Sequence, residues 1–510
     1  MQEAAKEFDY DYIIVGSGFG GSVSALRLSQ KGYKVLVVEK GKWYKAEDFP
    51  KTNWQLRKWL WVPGLRFFGI MKVTLLRHVS IISGAGVGGG SLVYANTLPR
   101  PKSEFFNSGN WKGLADWESE LDTHYEEALR MLGAEKTPRL FDADKSLKEL
   151  ASVMGREEHF HHTNVAVYFG KPGVKVEDPY FNGEGPTRTG CVYCGGCMTG
   201  CRYNSKNTLD KNYLYFAERL GAEILAENEV VDIVPLDGNA GETGYRVGVK
   251  TSTRVFSKSR SFETRGVVFS GGVLGTLKLM LKLKKKSLPR LSGRLGLDIR
   301  TNNETLVSVT SLDERLDMSK GVAIGSILNT DDDSHLEVVR YAEGSGFWKL
   351  LHFPKSFKTP LSYLKVYFAR PWAKSTAVLL FMQTLDSTLR FKLNALGGIS
   401  TKVSTGNAPT HNIPASNELT DKFSSIVNGK PTSFLMETLS GTPSTAHILG
   451  GAVMGEDASK GVIDKNNYVY GYHNMLVVDG SMISSNPGVN PSLSITAIAE
   501  RCMSLVKQKN

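Results

Sequence analysis

The feature that most constrains this chain is a complete β-α-β unit in its first forty residues. Residues 10–15 (Tyr-Asp-Tyr-Ile-Ile-Val) read as a short buried strand, and Gly16-Ser-Gly18-Phe19-Gly20-Gly21 follows at once. Residues 22–31 have helical character, Gly32 ends them, and residues 33–39 form a second buried strand that closes on Glu39. In a unit of this size Gly16 permits the tight turn, Gly18 lets the backbone approach a pyrophosphate, and Gly21 lets the helix pack on the strand. The helix N-terminus offers unpaired N–H groups and a positive dipole end to phosphate. An acid at position 39 accepts hydrogen bonds from ribose hydroxyls and repels a 2′-phosphate. The motif predicts a dinucleotide site and does not separate FAD from NAD.

A chain of 510 residues needs more than this unit; two or three domains are expected. A second glycine-rich loop contains Gly84, Gly88, Gly89 and Ser91, and Gly271 sits in a turn after an apolar run at 267–270. Residues 115–132 and 209–219 read as helices, and 222–236, which include Val230, as strand-like. Asp479-Gly480 follows another apolar run, and Asn490-Pro491 precedes a final helix. Nucleotide-type features at both ends imply one discontinuous domain with an insertion, and alternating β-like runs over 300–410 place a second layer there.

Composition removes several classes. Hydrophobic residues at 41% and charged residues at 22% describe a globular chain rather than a disordered one. The 52 glycines show no collagen period. The net charge of +11 favours anionic partners without choosing among them. No apolar run reaches the ~20 residues that span a bilayer, and the first residues are polar and acid-bearing, unlike a secretory signal; a cytoplasmic location is expected.

The chain resembles the glucose–methanol–choline (GMC) family of flavin oxidoreductases, and within it the sterol-oxidising branch of FAD-containing cholesterol oxidases. The likeness covers nearly the whole chain. It is carried by Gly86-Val-Gly-Gly-Gly-Ser-Leu-Val-Tyr-Ala-Asn96, Cys194-Gly-Gly-Cys-Met-Thr-Gly-Cys201, Lys206-Asn-Thr-Leu-Asp-Lys-Asn-Tyr-Leu214, His447-Ile-Leu-Gly-Gly451 and the segment from Asp479 to Arg501. The resemblance implies an α/β fold: a Rossmann-like FAD domain with a discontinuous α+β substrate domain on an antiparallel sheet. The FAD domain would take residues 1–50, 80–135, 190–305 and 440–510, and the substrate domain 136–189 and 306–439. Residues 51–79 would be a lid or membrane-contact segment.

The resemblance also implies roles. The ADP end of FAD would meet Gly16–Gly21 and Glu39. Asp479 would contact the ribityl chain or phosphates, and the helix after Pro491 would point its N-terminus at the flavin edge that becomes negative on reduction. Many relatives carry Asn where Tyr94 stands; Asn96 lies two residues on. His447 matches the family's active-site histidine, which binds the substrate hydroxyl, and Asn490 matches its asparagine. Whether His447 is itself the base depends on its tautomer. Glu337 occupies a place like the carboxylate that shifts a steroid double bond; the other reading is a surface strand residue paired with Arg340.

Four of the five cysteines, Cys191, Cys194, Cys197 and Cys201, follow the spacing of a [4Fe–4S] ligand set. Arg202 rather than Pro follows the last, and there is no second cluster motif. An iron–sulfur or zinc site, and structural thiols or disulfides, stay open. Residues 54–72 and 347–374 interleave aromatic and basic residues, and 347–374 hold no acid. Such surfaces suit the bilayer interface or a lid over the active site; no nucleic-acid fold signature accompanies them. The expected activity is oxidation of a sterol or similarly bulky alcohol to a ketone, with O2 or another acceptor taking the electrons. The alternatives are a dehydrogenase of another hydrophobic alcohol that passes electrons to a quinone or carrier, and a flavin or iron–sulfur electron-transfer protein.

Overall fold

The computed structural model describes residues 7–354, 371–384, 387–406, 408–410, 412–434 and 441–509. Among these, the principal architecture is two seven-stranded sheets.

The first sheet has a parallel layer made of Glu223–Leu225, Val35–Val38, Tyr10–Val15, the second half of Ser259–Phe269, and Met475–Val477. The strands Tyr10–Val15 and Val35–Val38 are buried at every position. That explains their unbroken apolar sequence, since a parallel sheet is covered on both faces. Helices Phe19–Gln30, Ser492–Leu505 and Trp117–Met131 stack against one another in that order. The first half of Ser259–Phe269 turns antiparallel, pairing with Tyr245–Thr251, which pairs with Asn228–Pro235.

The parallel strands end level. Val15 is in register with Val38 and with Phe269, and Phe269 with Val477. Gly16, Glu39, Ser270 and Val478 therefore leave the sheet side by side, which is where open α/β sheets bind ligands. The run 222–236 is two strands rather than one. Glu227, at φ +58°, turns the chain so that Glu223–Leu225 joins the parallel layer and Asn228–Pro235 the antiparallel part.

The second sheet is antiparallel throughout: His352–Pro354, Gly429–Phe434, Thr305–Ser311, Thr376–Gln383, Ser334–Val339, Ser326–Asn329 and Phe160–His162. Alternation sorts its side chains between two faces. Val309, Leu336, Val338, Leu379 and Phe381 pack against helices Asp142–Val153 and Pro414–Ile426. Leu306, Val339, Val378, Leu380 and Met382 face the other way, toward Trp59, Trp348 and Trp372.

Candidate active site

The glycines of the first turn are required for different reasons. A Cβ on Gly16 would stand 2.4 Å from the Ser270 carbonyl oxygen, one on Gly20 1.7 Å from that of Val478, and one on Gly21 2.1 Å from that of Gly16. These three let strand ends and helix meet. A Cβ on Gly18 would meet nothing within 4 Å. Gly18 is also the N-cap of helix Phe19–Gln30 and supplies no side-chain cap, so the first helical N–H groups stay available.

Ser17 joins this turn to the second glycine loop. Its hydroxyl donates to Glu39 Oε2 at 2.8 Å and accepts from the Gly88 N–H at 3.1 Å. Glu39 accepts further from the N–H groups of Ser17 and Gly41. Ser91 Oγ donates to the Gly88 carbonyl and accepts from the Leu209 N–H, which locks the loop to the segment after the cysteines.

A cavity of about 840 Å³ begins here and runs to the second sheet. Gly16, Gly18, Phe19, Gly20 and Glu39 line its first end, together with Gly84, Gly89 and Val230. Gly271, Asp479 and Gly480 line the middle. Asp479 Oδ1 accepts from Ser481 N and Oγ, and Oδ2 accepts from Thr276 Oγ1 at 2.6 Å, tying the C-terminal segment to helix Gly272–Lys284; burial raises its pKa. Asn490, Pro491 and Ser492 bring the N-terminus of the last helix to the wall. Gly21, Gly88, Ser91 and Asn96 stand behind that wall. Asn96 is fully buried at φ +61°, and neither atom of its amide has a hydrogen-bond partner. The open Gly18 and the uncapped helix start fit the pyrophosphate of an extended dinucleotide.

Where the crevice meets the second sheet, four polar residues converge. His447 Nδ1 donates to Glu304 Oε2 at 2.6 Å, and Thr445 Oγ1 holds the His447 N–H. Burial depresses the pKa of His447, but the charge of Glu304 and the hydrogen bond to it outweigh burial and raise the pKa above its ordinary value. Burial likewise pushes Glu304 up, and His447 more than reverses this. The carboxylate therefore places the imidazole proton on Nδ1 and leaves Nε2 as an acceptor. Asn490 Nδ2 lies 3.5 Å from His447 Nε2 and 3.4 Å from Glu337 Oε2, while its Oδ1 has no partner. Glu337 is fully buried. His335 Nε2 stands 3.4 Å from Glu337 Oε1 without the alignment of a hydrogen bond.

Two residues here were not singled out from the sequence. Glu304 sits in an unremarkable Asn-Asn-Glu-Thr stretch far from His447 in the chain, and only the strand Thr305–Ser311 brings it in. Lys206 is fully buried in a segment quoted above for its likeness alone. Its ammonium donates to the carbonyls of Leu92, Tyr94 and Cys197 and stands 4.5 Å from the centre of the Tyr94 ring, and burial lowers its pKa to about 7. The Tyr94 hydroxyl donates to the Asn207 carbonyl at 3.2 Å. Lys206 thus anchors the loop that carries Tyr94 and Asn96.

Two expectations are corrected. Glu337 is not a surface residue paired with Arg340. Three residues apart in extended chain, the two side chains point to opposite faces of the sheet, and Arg340 forms a fully buried ion pair with Asp144 at 2.7 Å. Burial raises the Asp144 pKa, and Arg340 more than offsets it. Nor are the cysteines paired as disulfides. All five are free thiols, and no three His, Cys, Asp or Glu side chains among the described residues form a metal site. Cys191 packs with Val165, Val167, Val322 and Cys197, Cys194 bridges to Gly321, and Cys197 opens a short 3-10 turn. Burial pushes the Cys197 thiol up to about 11.

Beyond His447 the cavity becomes apolar and aromatic, with Trp59, Phe347, Trp348 and Trp372 in its wall. The basic–aromatic stretches are divided accordingly. Trp59 and Trp61 are buried while Trp54 is 57% exposed. Within 347–374, Trp348 and Trp372 are buried, and the stretch 355–370, with Lys355, Lys358, Tyr363, Lys365, Tyr367, Phe368 and Arg370, lies outside the described residues. No helix among the described residues is long and apolar enough to cross a membrane.

Comparison with known proteins agrees with this geometry. Residues 10–283 match the N-terminal and residues 405–499 the C-terminal family model described as GMC oxidoreductase. The chain is 44% identical to a cholesterol oxidase of Acinetobacter baumannii, over 99% of this chain and 96% of that protein. It is 42% identical to a cholesterol oxidase of Mycobacterium tuberculosis, over 98% of this chain and 92% of that protein. The solved pyridoxine 4-oxidase of Mesorbium loti superposes with a TM-score of 0.63 at 15% identity, covering 97% of this chain and 99% of that one. From the level strand ends to the His447–Asn490 pair, the chain belongs to the GMC oxidoreductases, the FAD-dependent enzymes that oxidise alcohols.

Proposed function

We propose that this protein oxidises the ring hydroxyl of a sterol, or of a similarly bulky apolar alcohol, to a ketone. The observation that carries the reading is the position of His447: it is held by Glu304 at 2.6 Å, its Nε2 is turned to Asn490, and it stands at the junction of a nucleotide crevice and an aromatic chamber. Its full-length likeness to the two cholesterol oxidases supports the sterol.

FAD, held by the Gly16–Gly21 turn, Glu39, Asp479 and the start of the last helix, supplies the hydride acceptor. The chain's own residues manage the rest. His447 Nε2 accepts the hydroxyl proton, and Glu304 stabilises the imidazolium that results. Asn490 orients the alcohol oxygen. The buried Glu337, within reach of Asn490, suits a second proton movement between ring carbons, which would shift a neighbouring double bond. Molecular oxygen is the acceptor this reading assigns. We also propose that exposed Trp54, with Arg57 and Lys58, rests on a membrane surface from which an insoluble substrate is drawn. The sheets support the division into a flavin unit (1–50, 80–135, 190–305, 440–510) and a substrate unit (136–189, 306–439).

The test is an anaerobic titration of the FAD-loaded protein with cholesterol and, separately, with a long-chain primary alcohol. Bleaching of the flavin by the sterol at far lower concentration than by the alkanol is expected. A flavin that the sterol leaves oxidised overturns the reading.

A further inference from the structure

The face of the antiparallel sheet that borders the cavity changes character along its strands. Glu337 and Leu306 are both in register with Leu380, and Val339 and Ser308 are both in register with Val378. Along this face lie Leu306 and Ser308 on one strand, with Glu304 just before it, and His335, Glu337 and Val339 on another, with Tyr341 two residues beyond its end in the cavity wall. Charged groups gather at the chemical end, an apolar band of Leu306, Leu380, Val378 and Val339 follows, and polar groups return beyond it.

Tyr341 is the outermost of these. Its ring lines the cavity and packs on Trp348 and Trp372 at centroid distances of 5.9 and 5.6 Å. Among the described residues its hydroxyl has no hydrogen-bond partner, and burial raises its pKa to about 12. Ser308 also lines the cavity. Tyr341 lies four steps along the chain from Glu337, about 13 Å of extended backbone at ~3.3 Å a step. A hydroxyl seated at Asn490 and His447 and a second group near Tyr341 would stand about the length of a rigid polycyclic skeleton apart.

We propose that Tyr341 Oη forms a distal subsite for an oxygen atom on the substrate, remote from the hydroxyl that is oxidised, with Ser308 a second hydroxyl on the cavity wall two strands away. The inference rests on the sterol reading above and sharpens it: the preferred substrate is a steroid oxygenated at its far end, as a ketone on the five-membered ring or a hydroxyl on the side chain, rather than one ending in hydrocarbon. The physical reason is an asymmetry. A purely hydrocarbon tail displaces water from the phenol and leaves a buried donor unpaired, whereas a carbonyl or hydroxyl replaces the water.

The experiment compares kcat/KM for cholesterol with that for a 17-ketosteroid and a side-chain-hydroxylated sterol sharing the same 3-hydroxyl, in the FAD-loaded wild type, Tyr341→Phe and Ser308→Ala. Flavin absorbance reports that each variant is folded and loaded. At least one oxygenated steroid should exceed cholesterol by roughly fivefold in the wild type, chiefly through KM, the size expected of one neutral hydrogen bond. Y341F should bring that ratio toward one, and S308A should lower it less. A wild-type ratio near one, or a ratio that Y341F leaves unchanged, overturns the subsite while leaving sterol oxidation standing. Reduction of the flavin by none of the three steroids overturns the sterol reading and the subsite with it.

Discussion

The parallel and antiparallel sheets border the same cavity with different materials. At the parallel sheet the cavity meets mostly backbone: Gly16, Gly18, Gly20 and the turns after Phe269 and Val477. At the antiparallel sheet it meets side chains, with Glu304, Glu337, Leu380 and Tyr341 projecting from a regular ladder. Where backbone meets backbone, as at Gly16 and Gly20, the first wall tolerates no added atom. A wall of side chains keeps its shape under substitution and changes its chemistry instead.

The sharpest break of that contrast is at the glycines. Gly20→Ala puts a methyl 1.7 Å from a backbone carbonyl, and a loss of more than ~3 kcal/mol is expected, seen as failure to recover soluble, flavin-bearing protein. Gly18→Ala should leave the apoprotein melting within about 2 °C of wild type yet bind FAD more weakly in a fluorescence titration; equal losses from both would erase the distinction drawn between them. On the side-chain wall, His447→Ala should keep its flavin and lose about 10²–10⁴ in the rate of flavin reduction. Glu337→Gln should let the unshifted ketone accumulate, with double-bond migration slowed about a hundredfold when products are separated by chromatography.

Glu304→Gln is expected to cost about tenfold and to move the acidic limb of the pH–rate profile. Glu304 raises the pKa of His447, and the reaction needs neutral Nε2, so activity falls as pH drops through that raised value. Without the carboxylate the value drops and the limb shifts to lower pH; a limb that stays put would remove His447 from the role of base. The smallest effect is reserved for Cys194→Ser, which should leave flavin content and turnover within about twofold, with no iron in the wild type by elemental analysis.

What could be read from the amino-acid order follows the same contrast. The glycine turn and Glu39 were legible because one local β-α-β segment contains every constraint that defines it. His447 and Asn490 were reachable through a likeness spread along the chain. Glu304 was not, because its meaning depends on a pairing with residue 447 that no local pattern announces. Glu337 was balanced between two readings because an alternating strand does not say which of its faces is wet. The cysteine spacing left a ligand set and free thiols both open, because spacing alone does not give the turns that aim the thiols.

The strand Met475–Val477 lies against Val267–Phe269, and the carbonyl of Val478 closes over Gly20. The earliest motif of the polypeptide is thus finished by nearly its last residues. Such non-local pairing makes for slow folding. On a ribosome the glycine turn would emerge first and wait, without its neighbouring strand, for almost the entire message to be translated. Cofactor loading is therefore expected only once the strand Met475–Val477 has been made, and a chain truncated before residue 475 should never turn yellow.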